Sequence, residues 1–157
     1  MSEVIINNTR VKLECGEIFS YIKKNNCKVC KWYLLKGGVN KTGYRKIRIN
    51  NKIYAYHRVI YKLHNHEWDI TDVSPNNCID HIDRDKLNNN VDNLRVVSQQ
   101  QNMFNKNGKG YYCHNKSNKW HAQISVNGKK KHIGYFDVEQ EARNAYLAAK
   151  KNYHIID

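Results

Sequence analysis

The sequence predicts an α+β protein assembled from short modules, and three observations predict it. Apolar and polar residues alternate over short stretches, Asn- and Gly-bearing turns separate those stretches, and the charge falls into three blocks. At 157 residues and 18.6 kDa the chain has room for one domain or a few small modules, which excludes the large enzyme folds. Residues 1–55 hold 12 basic and 3 acidic side chains, residues 56–105 hold 5 and 7, and residues 106–157 hold 10 and 4, for a net charge of +13. Two basic arms therefore flank an acidic middle. Nucleic acid is the first partner to consider. The acidic stretch is either a solvated loop or a place where a cation is held against a polyanion.

The elements follow in order. The first thirty residues give no clear assignment. Tyr44 to Tyr56 reads as strand, Asn50-Asn51 turn and strand, with Arg45 or Lys46, Arg48 and Lys52 facing outward. His57 to His66 carries Val59, Ile60 and Leu63 at helical spacing and reads as a short amphipathic helix. Residues 67–78 are a loop with the only proline, Pro75. Ile79–Ile82 and Leu94–Val97 read as two strands about a polar turn, and Ser98 with Gln101 forms a capping box for a helix running to about Asn105. The middle is thus β, loop, β, α. After the Gly/Lys linker 107–110, Tyr111–His114, Trp120–Val126 and Lys131–Phe136 read as three strands. Asp137 is expected to cap a helix over about Val138–Asn152, with Ala142, Ala145, Tyr146 and Ala149 as its apolar stripe.

No apolar run approaches the roughly 20 residues of a membrane-spanning helix. Met1-Ser2-Glu3-Val4 lacks the pattern of a signal peptide. The expected setting is cytoplasmic and reducing, neither secreted nor membrane-bound. Five cysteines, an odd number, disfavour a complete disulfide framework. Cys27-x-x-Cys30 has zinc-knuckle spacing, with Cys15 as a third ligand and His57 or Cys78 as a borrowed fourth. A structural Zn²⁺ is the alternative there; free thiols are the default.

The chemistry concentrates in the middle. Asp80-His81 is followed by Asn93 twelve residues after the histidine and Asn102 nine residues later. Phosphodiester hydrolysis needs a base for water, a cation for the developing charge, and a group that orients the base. Asp and Asn oxygens suit a hard, partly hydrated Mg²⁺ or Mn²⁺, and an imidazole titrates where a neutral base is wanted. The Asp83-x-Asp85 pair invites a calcium-loop reading. That loop needs Gly and Glu where this chain has Asn88 and Leu94, so both aspartates are read as turn residues.

Here a resemblance enters. Ile79-Asp80-His81-Ile82-Asp83-Arg84-Asp85-Lys86-Leu87-Asn88-Asn89-Asn90-Val91-Asp92-Asn93-Leu94, followed by Val97-Ser98-Gln99-Gln100-Gln101-Asn102, resembles the signature of the HNH endonucleases with a ββα-metal fold. The branch is the one typical of phage and intron homing enzymes, and His57-Arg58-Val59-Ile60 resembles the helix that precedes the signature. The resemblance implies that Asp80 and Asn102 hold one Mg²⁺ or Mn²⁺, that His81 is the general base, and that Asn93 orients the histidine loop. The third motif position is Asn102 rather than His, a change this branch is expected to tolerate.

The last fifty residues resemble the AP-two, or ethylene-response-factor-like, DNA-binding domain, through Lys119–Val126, Ile133-Gly134-Tyr135-Phe136 and Glu141–Tyr146. Strand alternation places Trp120, Ala122, Ile124 and Val126 toward the helix and His121, Gln123 and Ser125, with Lys130 and His132, on the other face. The resemblance implies that this second face enters the major groove, with Tyr112, His114, Lys119, His121, Gln123, Lys130 and His132 as contacts. The family's arginine and tryptophan readers are mostly absent, so its base preference does not transfer.

The expectation is therefore a basic N-terminal hairpin region (1–53), an HNH core (54–107) and an AP-two-like module (108–157). It describes a metal-dependent, site-preferring homing-type endonuclease acting on double-stranded DNA as a monomer or homodimer. Arg45, Lys46, Arg48 and Lys52 lie along the backbone of the duplex. The alternative is a sequence-specific DNA-binding regulator built on an inactive HNH scaffold.

Overall fold

A computed structural model describes residues 3–22, 30–106, 108–114 and 118–156. The chain has mixed α and β structure with several small sheets and few helices. It divides into two compact units, residues 1–96 and 97–157. Strand β9 carries the chain across that division.

The first unit opens with a four-stranded antiparallel sheet: β1 (Glu3–Ile6), β2 (Thr9–Glu14), β3 (Glu17–Ile22) and β4 (Lys31–Leu34), in sequence order. Its first two turns are two-residue reversals, Asn7-Asn8 and Cys15-Gly16, with positive φ at all four positions. Such turns match the natural twist of a hairpin. A second sheet follows from β5 (Gly38–Val39), β6 (Arg45–Ile49) and β7 (Lys52–Ala55), closed at Asn50-Asn51 by the same kind of turn. The Asn7 amide donates to the Asn50 carbonyl at 2.8 Å and the Asn50 amide donates to the Asn7 carbonyl at 2.9 Å, so the two turns brace each other.

Helix α1 (Tyr56–His64) starts and ends slightly earlier than the sequence suggests and buries Tyr56, His57, Val59, Ile60 and Leu63. These meet Ile6, Val11 and Ile18 of the first sheet, Ile47 and Ile49 of the second, and Ile79 and Leu94 of the hairpin β8 (Cys78–His81) and β9 (Leu94–Val97) in one core. That shared core joins the expected N-terminal region to most of the expected nuclease core. The intervening loop is fastened by Arg58, which donates to the carbonyls of Ile70, Asp72 and Asn77 and lies over the Trp68 ring.

The second unit holds α2 (Gln99–Phe104), the antiparallel sheet β10 (Tyr111–His114), β11 (Lys119–Val126) and β12 (Lys129–Phe136), and α3 (Glu139–Tyr153). Both halves of the Ser98/Gln101 capping box are present. The expected Asp137 cap is not. Val138 occupies the cap position without a side-chain bond, while Asp137 pairs with Lys119 at 3.2 Å across the sheet end. Ala142 and Tyr146 of α3 pack on the sheet side that buries Ala122 and Ile124. A side chain at Gly110 would collide with the Tyr146 ring, so the glycine permits this close approach.

Candidate active site

The site is built at the end of β8. Asp80 and His81 are both buried, at 6% and 4% exposure, although each carries a group that water would solvate well. Burial of this kind requires partners. For Asp80 one partner is Arg95 on β9, whose Nε and Nη2 both donate to Oδ2, at 3.1 and 2.9 Å.

For His81 one partner is Asn89, whose Oδ1 lies 3.2 Å from Nε2. The Asn89 amide is fixed in that sense because its Nδ2 donates to the Leu87 carbonyl at 2.9 Å. Asn89 Oδ1 can only accept, so Nε2 carries the proton and the basic lone pair belongs to Nδ1.

The turn between the two strands is organised by Asn93. Its Oδ1 accepts from the Asp83 amide at 3.0 Å, and its Nδ2 donates to Asp83 Oδ1 and the Asn88 carbonyl, both at 2.9 Å. The Asn93 carbonyl also accepts from the Ile82 amide at 2.9 Å. Hydrogen bonds from Asn88 and Asn93 hold the Asp83 carboxyl below the usual carboxylate range. Asp85 accepts from the Leu87 amide, so both aspartates are turn residues as the sequence suggested.

Two aromatic side chains pack beside His81. The His57 ring meets the His81 ring edge-on at 5.0 Å between centroids, and Tyr44 lies 5.4 Å from His57 and 6.1 Å from His81. Burial, reinforced by His81 and Arg58, pushes His57 down to about 3, so it is neutral, and its Nδ1 is buried without a partner. Burial and then the nearby Asp80 charge raise the Tyr44 hydroxyl.

Of the four motif residues, Asp80, His81 and Asn93 are thus gathered in the first unit. Asn102 lies half-buried on α2 in the second. The sequence reading missed Asn89, Arg95 and Tyr44, and it took His57 as part of the helix before the signature and as a borrowed zinc ligand, with no role beside His81. His57 instead packs against the site histidine.

No group of three or more His, Cys, Asp or Glu among the described residues is arranged to hold a metal ion. The buried Asp80 carboxylate of the first unit is by itself a hard oxygen donor, whose chemistry suits a largely hydrated Mg²⁺ or Mn²⁺ and not a closed zinc cage. Cys15 is exposed and Cys30 and Cys78 are half-buried, all as free thiols, while Cys27 lies outside the described residues.

The basic hairpin separates into two faces. Lys46 and Arg48 are exposed on one side of β6, whereas Arg45 points the other way, stacks on Tyr56 at 3.9 Å and pairs with Glu17 at 3.0 Å. Lys52 is paired in register with Ile49, opposite to the Lys46 and Arg48 face, and lies over Tyr54. Arg45 and Lys52 therefore leave the set expected to share one outward surface.

In the second unit the register pairs Tyr112 with His121, His121 with Tyr135, His114 with Lys119, Gln123 with His132 and Ser125 with Lys130. These residues share the face away from α3. An extra residue, Ile133, bulges out of register and turns Tyr135 onto the same side as His132. His121 and His132 stack at 4.8 Å and share a 2.7 Å hydrogen bond. Burial, His132 and His114 lower the His121 titration.

Residues 54–104 match the HNH endonuclease family. The chain carries an HNH endonuclease domain. An uncharacterized HNH endonuclease of Acanthamoeba polyphaga mimivirus is 36% identical over 121 residues, a stretch that covers 74% of this chain. The chain spans 58% of that relative's length. No solved structure matches the chain. No helix among the described residues is long and apolar enough to cross a membrane.

Proposed function

We propose that the protein is a metal-dependent DNA endonuclease of the site-preferring homing type. Its β8, β9 and α2 would form the ββα-metal core, and its C-terminal sheet would contact duplex DNA in the AP-two manner. The observation that carries this reading is the buried Asp80-His81 pair, oriented by Asn89 and Arg95 above an Asn93-tied turn, inside the segment that matches the HNH endonuclease family.

His81 takes a proton from water at Nδ1, with Asn89 holding the opposite nitrogen so that the lone pair faces outward from that bond. Neutral His57 beside it adds no competing charge. Asn93 keeps the turn that supplies Asn89 in shape. Asp80 and Asn102 are the ligands for one Mg²⁺ or Mn²⁺, which when bound offsets charge on the phosphoryl and leaving oxygens. Lys46 and Arg48, and separately Lys119, Lys130 and the ring-bearing face of Tyr112, His114, His121, Gln123 and His132, contact the nucleic acid.

One site per chain cuts one strand, so a monomer nicks and a double-strand break takes a homodimer or a second event. Supercoiled plasmid incubated with the protein and Mg²⁺ or Mn²⁺, against an EDTA control, tests the reading. Metal-dependent conversion to open circle is expected. Binding without any cleavage in either metal would favour the inactive-scaffold regulator.

A further inference from the structure

The Asp80 carboxylate is the one acidic group in the proposed cation set, and a cation already sits on it. Both donors of the Arg95 fork fall on the same oxygen, Oδ2, with Asp80 at 6% and Arg95 at 25% side-chain exposure. A guanidinium is permanently charged and suits carboxylate and phosphate oxygens equally well, two donors at a time. A dication brought to this carboxylate would meet like charge within a few ångströms, in a setting where water screens poorly. A DNA phosphate offers Arg95 another acceptor as it approaches.

We propose that Arg95 competes with the divalent cation for Asp80, so that the protein takes up its metal weakly when alone and more tightly when DNA draws the arginine away. The inference rests on the reading of Asp80 as a metal ligand. It makes Arg95 a positioning residue that couples cation uptake to DNA binding, and such coupling is reciprocal.

The test is Mn²⁺ binding to the full-length protein, followed by the electron paramagnetic resonance of free Mn²⁺. Arg95→Met keeps much of the stem and removes the charge, and should bind Mn²⁺ on the order of tenfold more tightly than the wild type without DNA. Arg95→Lys keeps a charge but loses the fork, and should fall between the two. In a His81→Ala background, used to keep the strand intact, added duplex should raise Mn²⁺ affinity more with Arg95 present than with Met.

Equal or weaker Mn²⁺ binding by Arg95→Met, or an equal gain from duplex in both proteins, overturns the competition. Asp80→Ala separates the two ideas: it should abolish the Mn²⁺ site with either residue at position 95. If Mn²⁺ binding survives Asp80→Ala unchanged, the reading of Asp80 as ligand is what fails.

Discussion

Acidification should loosen the first unit through one residue. His57 is 8% exposed, stacked edge-on to His81 beside Tyr44, and titrates at about 3 because burial, His81 and Arg58 all oppose its charge. In the unfolded chain the same imidazole titrates near 6.5. The unfolded state therefore takes up the proton first, so stability is full above about pH 6.5 and is lost progressively as pH falls toward about 3. Each unit of separation is worth about 1.4 kcal/mol, so near pH 4.5, roughly two units below the unfolded value, the loss is on the order of 3 kcal/mol. Hydrogen exchange at the amides of Val59 and Leu63, both fully buried in α1, reads the opening of this unit directly. Compared with wild type, His57→Phe should be less acid-sensitive by about that amount between near-neutral pH and about pH 4.5, whatever constant cost the ring exchange carries. Parallel pH profiles for the two proteins would refute the assignment of His57 as a neutral, buried base.

Three further outcomes are expected. Asn89→Ala removes the acceptor that fixes the His81 tautomer, so single-turnover cleavage should fall about 10- to 100-fold while the dissociation constant for duplex stays nearly constant. Leu63→Ala empties a fully buried position in the shared core and should cost about 2–5 kcal/mol in denaturant unfolding of the first unit. Lys119→Gln and Lys130→Gln should each flatten the dependence of log K on log salt for duplex by about 0.9 if both reach phosphates. An unchanged slope would remove the C-terminal sheet from the DNA interface.

The motif pair and its organiser were legible because Asp80, His81 and Asn93 sit in one contiguous stretch whose turn is closed by its own side chains. Arg95 and Asn89 were not. Arg95 reaches Asp80 across a strand pair, and Asn89 is one of three consecutive asparagines with nothing local to single it out. The N-terminal sheet was hidden for a different reason. Its turns are Asn-Asn and Cys-Gly, and Lys12 breaks the apolar pattern by burying its stem beside Trp32 and pairing with Glu14 at 2.9 Å.

At Arg45 the sequence left the choice of outward residue open, and adjacent positions on a strand face opposite ways. The Asp137 cap failed because the helix begins one residue later than expected, which puts Val138 at the cap position and leaves Asp137 to an exposed pairing with Lys119.

His81 is proposed as the base of a DNA-cleaving site. Supercoiled plasmid cleavage under single-turnover conditions, with duplex affinity measured in parallel, tests it for His81→Ala against wild type. Cleavage should fall by about 10²- to 10⁴-fold with affinity nearly unchanged, because a general base acts on the transition state far more than on binding. Cleavage by His81→Ala at the wild-type rate would contradict the account.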